Sequence, residues 1–231
     1  MQDSTKTPTR PRGRPRAYDP EHALKRARDA FWRTGYSGTS LDALSDATGM
    51  NRPSLYAAFG DKRALYLAAV DRYIETGRDL MLGALSPDVP LADGLQQVYD
   101  GALALYLPAD GDARGCFLIG TSTVEAMTDP DVRARLGDAL RAFDRAFEKR
   151  FRHAQTIGEI DAQADAALLA KLASAVLHSL ALRSRAGDTR ASLRATARAG
   201  VAMLCETVRP PSETSADGEP KPARRQSKRP R

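Results

Sequence analysis

Apolar residues recur every three or four positions along most of the chain, and polar breaks cut that pattern into a run of helices. Between Pro20 and Arg33, Ala23, Leu24, Ala27, Ala30 and Phe31 share one face. The stretch from Thr39 to Lys62, TSLDALSDATGMNRPSLYAAFGDK, then predicts two short helices around a tight turn and the entry to a longer one. Leu41 and Leu44 mark the buried face of the first short helix, and Leu55 and Phe59, four apart, that of the second. Thr39 or Ser40 can cap the first, with Asp42 at capping-box distance from Thr39. Gly49 falls where a left-handed residue ends that helix, Asn51 can cap the next, and Pro53 sits harmlessly in its first turn. Arg52, Ser54 and Tyr56 are left to meet something outside. Two helices of roughly seven residues bury too little on their own. Leu65, Ala68, Ala69 and Tyr73 continue the pattern, so a three-helix head docks on a longer fourth helix, with Trp32 at their boundary.

The rest is also helical, giving an all-α fold with the helix-turn-helix head on a larger helical body. Ala64 to Leu85 reads as one long helix stopped by Pro87 and Pro90, and Leu91 to Leu105 as the next, stopped at Leu107-Pro108. Gly115 opens a helix to about Met127, and Asp129-Pro130 opens another whose Phe143, Phe147 and Phe151 form a buried stripe. Gln163–Arg185 and Thr189–Val208 form a closing pair with an unusually broad apolar face and small residues at Ala173, Ala197 and Gly200. A face this broad suits half of a four-helix interface between two copies of the chain, although a purely intramolecular core has the same periodicity. The expected divisions are a basic arm over 1–16, the head over 17–63, a helical dimerisation body over 64–208, and a basic tail over 209–231.

Charge changes this picture at the ends. The chain has 35 Lys and Arg against 29 Asp and Glu; residues 1–16 hold five of the basic residues and one acid, and residues 209–231 hold seven and three. The stretch between is therefore slightly acidic, and the basicity lies in two Pro-rich ends expected to be disordered. Pro11-Arg12-Gly13-Arg14-Pro15-Arg16 resembles an AT-hook core, in which Arg12 and Arg14 would enter an A·T-rich minor groove. A solubilising tail is the alternative. No run of eighteen apolar residues and no signal-peptide core occurs, so a cytoplasmic protein with an intracellular polyanion as partner, and no membrane, is expected. His22, His153 and His178 lie far apart, no Cys-x-x-Cys, His-Glu-x-x-His, nucleophile-elbow or phosphate-loop pattern occurs, and Cys116 and Cys205 make no disulfide framework. Neither catalysis nor a cofactor or metal is implied, and Cys116 reads as a small buried hydrophobe, with a thiol sensor as the alternative.

The stretch from Ala27 to Val70 resembles the DNA-binding domain of the TetR/AcrR family of bacterial transcriptional regulators. Phe31, Gly35, Tyr36, Thr39, Ser40, Leu44, Gly49, Leu55, Tyr56, Phe59, Lys62 and Leu65 carry the resemblance. A Gly115-Cys116 opening followed by apolar residues and Glu125 extends it into the body. The resemblance implies a homodimer on a palindromic operator and repression lifted by a small-molecule effector. An activator, or a low-specificity A·T-rich architectural protein, is the alternative. Within the DNA-facing set, Arg52 is suited to a bidentate contact with guanine O6 and N7, with Asn51 and Ser54 as lesser base readers. Thr39, Tyr56 and Lys62 match family positions that contact phosphates, with Ser40 beside them. The implied pocket lies among the helices between about Arg78 and Arg185, with Tyr99, Tyr106, Phe117, Thr121, Phe143, Phe147 and His178 as its candidate lining.

Overall fold

Side-chain caps fix where the first four helices begin. In the computed structural model, which describes residues 19–109 and 112–206, Asp19 caps α1 (Pro20–Gly38) by accepting from the Glu21 amide at 3.0 Å. Ser40 caps α2 (Leu41–Thr48) through the Ala43 amide at 3.0 Å, and Gly49, at φ 68°, ends that helix in the left-handed region. Asn51 caps α3 (Arg52–Phe59) through the Ser54 amide at 2.9 Å, and Asp61 caps α4 (Lys62–Ala84) through Ala64 at 2.7 Å. The capping box expected from Thr39 and Asp42 does not form. Thr39 is buried, its hydroxyl donating to the Gly35 carbonyl at 2.5 Å and lying 2.7 Å from the Thr34 hydroxyl. α1 also runs past Arg33, broken at Gly35, whose φ of 75° turns the chain into the last helical residues.

The body continues with α5 (Leu91–Tyr106), a π-helical turn (Leu118–Ser122) leading into α6 (Thr123–Glu125), then α7 (Pro130–Thr156), α8 (Ala166–Arg185) and α9 (Arg190–Glu206). No strand occurs among the described residues. Phe147 and Phe151 of α7 are fully buried, and Ala173 and Leu180 of α8, Leu193 and Ala197 of α9 and Leu95 and Tyr99 of α5 belong to the same core. By length and hydropathy α8 could cross a membrane, but Leu169, Ala173, Leu177 and Leu180 are buried against its neighbours, the position of a core helix. A buried Arg150 on α7 donates from Nη2 to Glu159 at 2.6 Å and to the Val89 carbonyl at 2.7 Å, clasping the α4–α5 connection. The sequence pattern predicts one plain helix from Gly115; the structure instead has a π-turn, in a stretch that lies close on the end of α8. A Cβ on Gly115, at φ 62°, would fall 2.5 Å from the Ala181 carbonyl oxygen, and one on Gly120 would fall 2.4 Å from the Arg185 guanidinium.

Head and body meet at an aromatic seam. Trp32 is buried, donates from Nε1 to the Arg114 carbonyl at 3.1 Å, and packs on Tyr73 and Phe117 with centroids 5.1 and 5.5 Å away. The Arg114 guanidinium covers the indole at 4.0 Å and bonds Asp29 at 3.2 Å. Beside it the Tyr66 hydroxyl lies 3.0 Å from Thr121 and 3.1 Å from Ser122 in the π-turn, while its ring meets Phe31 edge-on at 5.2 Å. At the edge Arg63 donates to Asp129 at 2.7 and 2.9 Å, holding that carboxyl down at about 2.

Candidate nucleic-acid interface and effector cavity

The second helix of the helix-turn-helix turns Leu55 inward, at 4% exposure, and that choice decides what its other residues can reach. Tyr56, 47% exposed, and Ala57 lie on the outer face, with Asn51, Arg52 and Pro53 at its start. Ser54 is half-buried. Tyr56, Lys62 and Leu41 border one hollow between the two short helices and α4. The Lys62 ammonium sits 4.5 Å from the centre of the Tyr36 ring, which fixes its charge at the α4 entrance. Ser40 stands at the adjoining start of α2, exposed but engaged as a cap. Asn51 is likewise engaged, which leaves its amide nitrogen as the outward group.

Two features differ from expectation. Thr39, expected to face phosphate, directs its hydroxyl into the head, so its side chain is not a donor on this surface. Asp42, expected in a cap, instead takes hydrogen bonds from Arg52 Nε at 3.0 Å and Nη2 at 2.6 Å, which keep the guanidinium even further from losing its proton. The two residues are ten positions apart, and only the folded turn brings them together; opposite charges flanking the turn were the available signal. Ala57 also went unmarked, although a methyl on the outer face suits close approach to a thymine methyl. Arg12 and Arg14 lie outside the described residues.

A cavity of about 270 Å³ opens in the body among α4, α5, the π-turn, α7 and α8. Tyr106, Phe143 and His178 line it as expected; Tyr99, Phe117, Thr121 and Phe147 do not. Tyr99 donates to the Ala173 carbonyl at 3.1 Å, Phe117 supports Trp32, Thr121 faces Tyr66, and Phe147 belongs to the core. The α4 face of Tyr73, Gly77, Leu80, Met81 and Ala84 was missed, as was Gly101 on α5. Small residues interrupting a helical apolar stripe are the sequence signal of such a void. No Asp, Glu, Lys or Arg lines the cavity among the described residues. Its polar groups are Gln97, Cys116, the Tyr73 and Tyr106 hydroxyls and His178. Tyr73 donates to Cys116 Sγ at 3.4 Å, and burial, then the neighbouring thiol, pushes both tyrosine hydroxyls well up. Burial lowers His178 below the usual 6.5 against an opposing Asp144, favouring a neutral imidazole. Such a chamber suits an uncharged, mainly apolar small molecule with a few hydrogen-bonding groups.

Both the head and the body of the chain match known proteins. Residues 23–69 match the family described as bacterial regulatory proteins, tetR family, and residues 93–199 match the tetracyclin repressor-like C-terminal domain. The HTH-type transcriptional repressor ComR of Escherichia coli K12 is 30% identical over 212 residues, 90% of this chain and 99% of that protein. The HTH-type transcriptional repressor BdcR of the same organism is 34% identical over 115 residues, 50% of this chain and 58% of that protein. Among solved structures, the TetR family regulator CifR, a cysteine mutant complexed with 26-base-pair operator DNA, is 31% identical. It superposes with a TM-score of 0.70, covering 81% of this chain and 98% of that one.

Proposed function

The chain belongs to the tetR family of bacterial regulatory proteins, a sequence-specific DNA-binding type of regulator, and from that premise we propose that it is a repressor released by a small uncharged effector. It acts in the cytoplasm as a homodimer on a palindromic operator. The observation that carries this reading is the pairing of an outward α3, offering Arg52 and Tyr56, with an apolar chamber in the body. Two copies of α3 enter successive major grooves about 34–36 Å apart for half-sites one turn apart. Arg52 reads guanine, while Tyr56 and Lys62 hold phosphates.

The partner surface is the outer face of the last helix pair. Leu168, Leu172 and Leu182 of α8 and Met203 of α9 are large, apolar and exposed, and Ala175 continues the α8 stripe. Effector control runs through the π-turn. Leu118 and Ile119 line the chamber, and Thr121 and Ser122 of the same turn meet Tyr66 under the head. An effector that binds better when this turn has moved shifts the head spacing by that difference in affinity.

Selection of bound duplexes from random DNA tests the reading. A palindrome is expected, with binding weakened by uncharged apolar compounds and not by charged ones of equal size; recovery of unrelated A·T-rich duplexes rejects it in favour of an architectural role. At fixed salt, Arg52→Ala should lose about 1–3 kcal/mol of discrimination between operator and scrambled DNA, whereas Lys62→Ala should weaken both alike. Activation is the second reading, favoured by 28% identity over 116 residues, half of this chain, to the HTH-type transcriptional activator FasR of Mycolicibacterium smegmatis. The operator's position relative to the promoter separates the two.

A further inference from the structure

Ser40 already satisfies the first turn of α2, so the carboxylate of Asp42 is not needed there. It reaches across the turn to Arg52, taking Nε–H at 3.0 Å and Nη2–H at 2.6 Å on the same oxygen. Both side chains are exposed, Asp42 at 73% and Arg52 at 52%, and an ion pair so placed contributes little to folding. On a surface meant for phosphates it is also a handicap, because it cancels one cation and presents one anion to a polyanion. Its position makes sense if it governs how Arg52 is used.

We propose that Asp42 is a positioning residue for base recognition, fixing the Arg52 guanidinium so that operator discrimination depends on the pair and not on the arginine alone. The inference rests on the reading of Arg52 as a base contact given above. A guanidinium has five N–H groups. Asp42 engages the edge formed by Nε and Nη2 and leaves the terminal Nη1–H and outer Nη2–H parallel, the spacing that guanine O6 and N7 accept. A side chain already held in that pose loses less freedom on meeting DNA. Away from guanine the same carboxylate has the opposite effect, since Arg52 can grip a stray phosphate only by leaving Asp42 or bringing its charge along. Asp42 therefore lowers affinity for wrong DNA and raises the ratio of right to wrong.

The test uses the full chain with Asp42→Ala, Asp42→Asn, Arg52→Ala and the double variant Asp42→Ala/Arg52→Ala, each titrated with the selected operator and a scrambled duplex at two salt concentrations. Asp42→Ala should bind scrambled DNA about three- to tenfold more tightly, with a salt slope steeper by about one phosphate contact. Its operator-to-scrambled ratio should fall about tenfold, with Asp42→Asn, which keeps an acceptor without the charge, in between. In the Arg52→Ala background, removing Asp42 should move that ratio less than about twofold, because the group it orients is gone. A ratio retained by both Asp42 variants while Arg52→Ala loses it overturns the inference and leaves the base contact standing. A ratio retained by Arg52→Ala overturns the base contact itself.

Discussion

At the scale of the residue, the neighbour a side chain finds decides its role more than its type does. Thr39 and Ser40 are adjacent hydroxyls, yet one is sealed into the head and the other caps α2 from the surface. The pattern of apolar positions located both, and it also placed Leu44 and Leu55 in the core, because burial is periodic. It could not choose between the hydroxyls, since the choice depends on where the Gly35 carbonyl ends up after α1 breaks. His178 offers a test at this scale. Its folded-state pKa lies below 6.5, so the unfolded chain takes the proton first as pH falls. The associated stability is complete above the unfolded pKa of about 6.5 and is lost as pH drops through the folded value. Urea denaturation of His178→Gln should therefore show a smaller loss of stability between pH 7 and 5 than the parent chain.

At the scale of the element, the π-turn is where sequence reading gave way. Gly115 to Met127 has the apolar spacing of an ordinary helix, and nothing local announces that α8 will press on it. The close approach of Ala181 and Arg185 is a long-range fact that becomes visible only once both elements are packed. The two glycines should then respond differently to substitution. Gly115→Ala meets a backbone oxygen in a left-handed conformation and should lose about 2–5 kcal/mol in thermal or chemical unfolding. Gly120→Ala meets only the far end of Arg185, which can swing aside, and should lose no more than about 1 kcal/mol. Because Thr121 and Ser122 connect this turn to Tyr66, Gly115→Ala should also change operator affinity in whatever fraction stays folded. Helices α4, α5 and α7, bounded by the caps Asp61 and Asp129 and by Pro90 and Pro108, were by contrast predicted to within a few residues.

At the scale of the whole molecule, the broad apolar face of α8 divides in two. Leu169, Leu177 and Leu180 close the core, and Leu168, Leu172 and Leu182 remain outside it. Periodicity alone could show that the face was too wide for one partner but not which half was left over. If the outer half joins two copies, Leu172→Asp should give a helical monomer by sedimentation and circular dichroism, bind a palindrome far more weakly than the parent, and lose the concentration dependence of unfolding that a dimer shows. The chamber is legible at this scale too. A Cβ on Gly101 would meet no atom within 4 Å, and one on Gly77 would meet only the Phe143 ring at 3.3 Å. Its capacity is thus set by two missing side chains rather than by charged groups that would have to be rebuilt. Replacing Gly101 with alanine, valine and then leucine would narrow the compartment by degrees while leaving the DNA-facing end untouched. The same scaffold could in that way be retuned as a reporter for molecules of different girth, one side chain at a time.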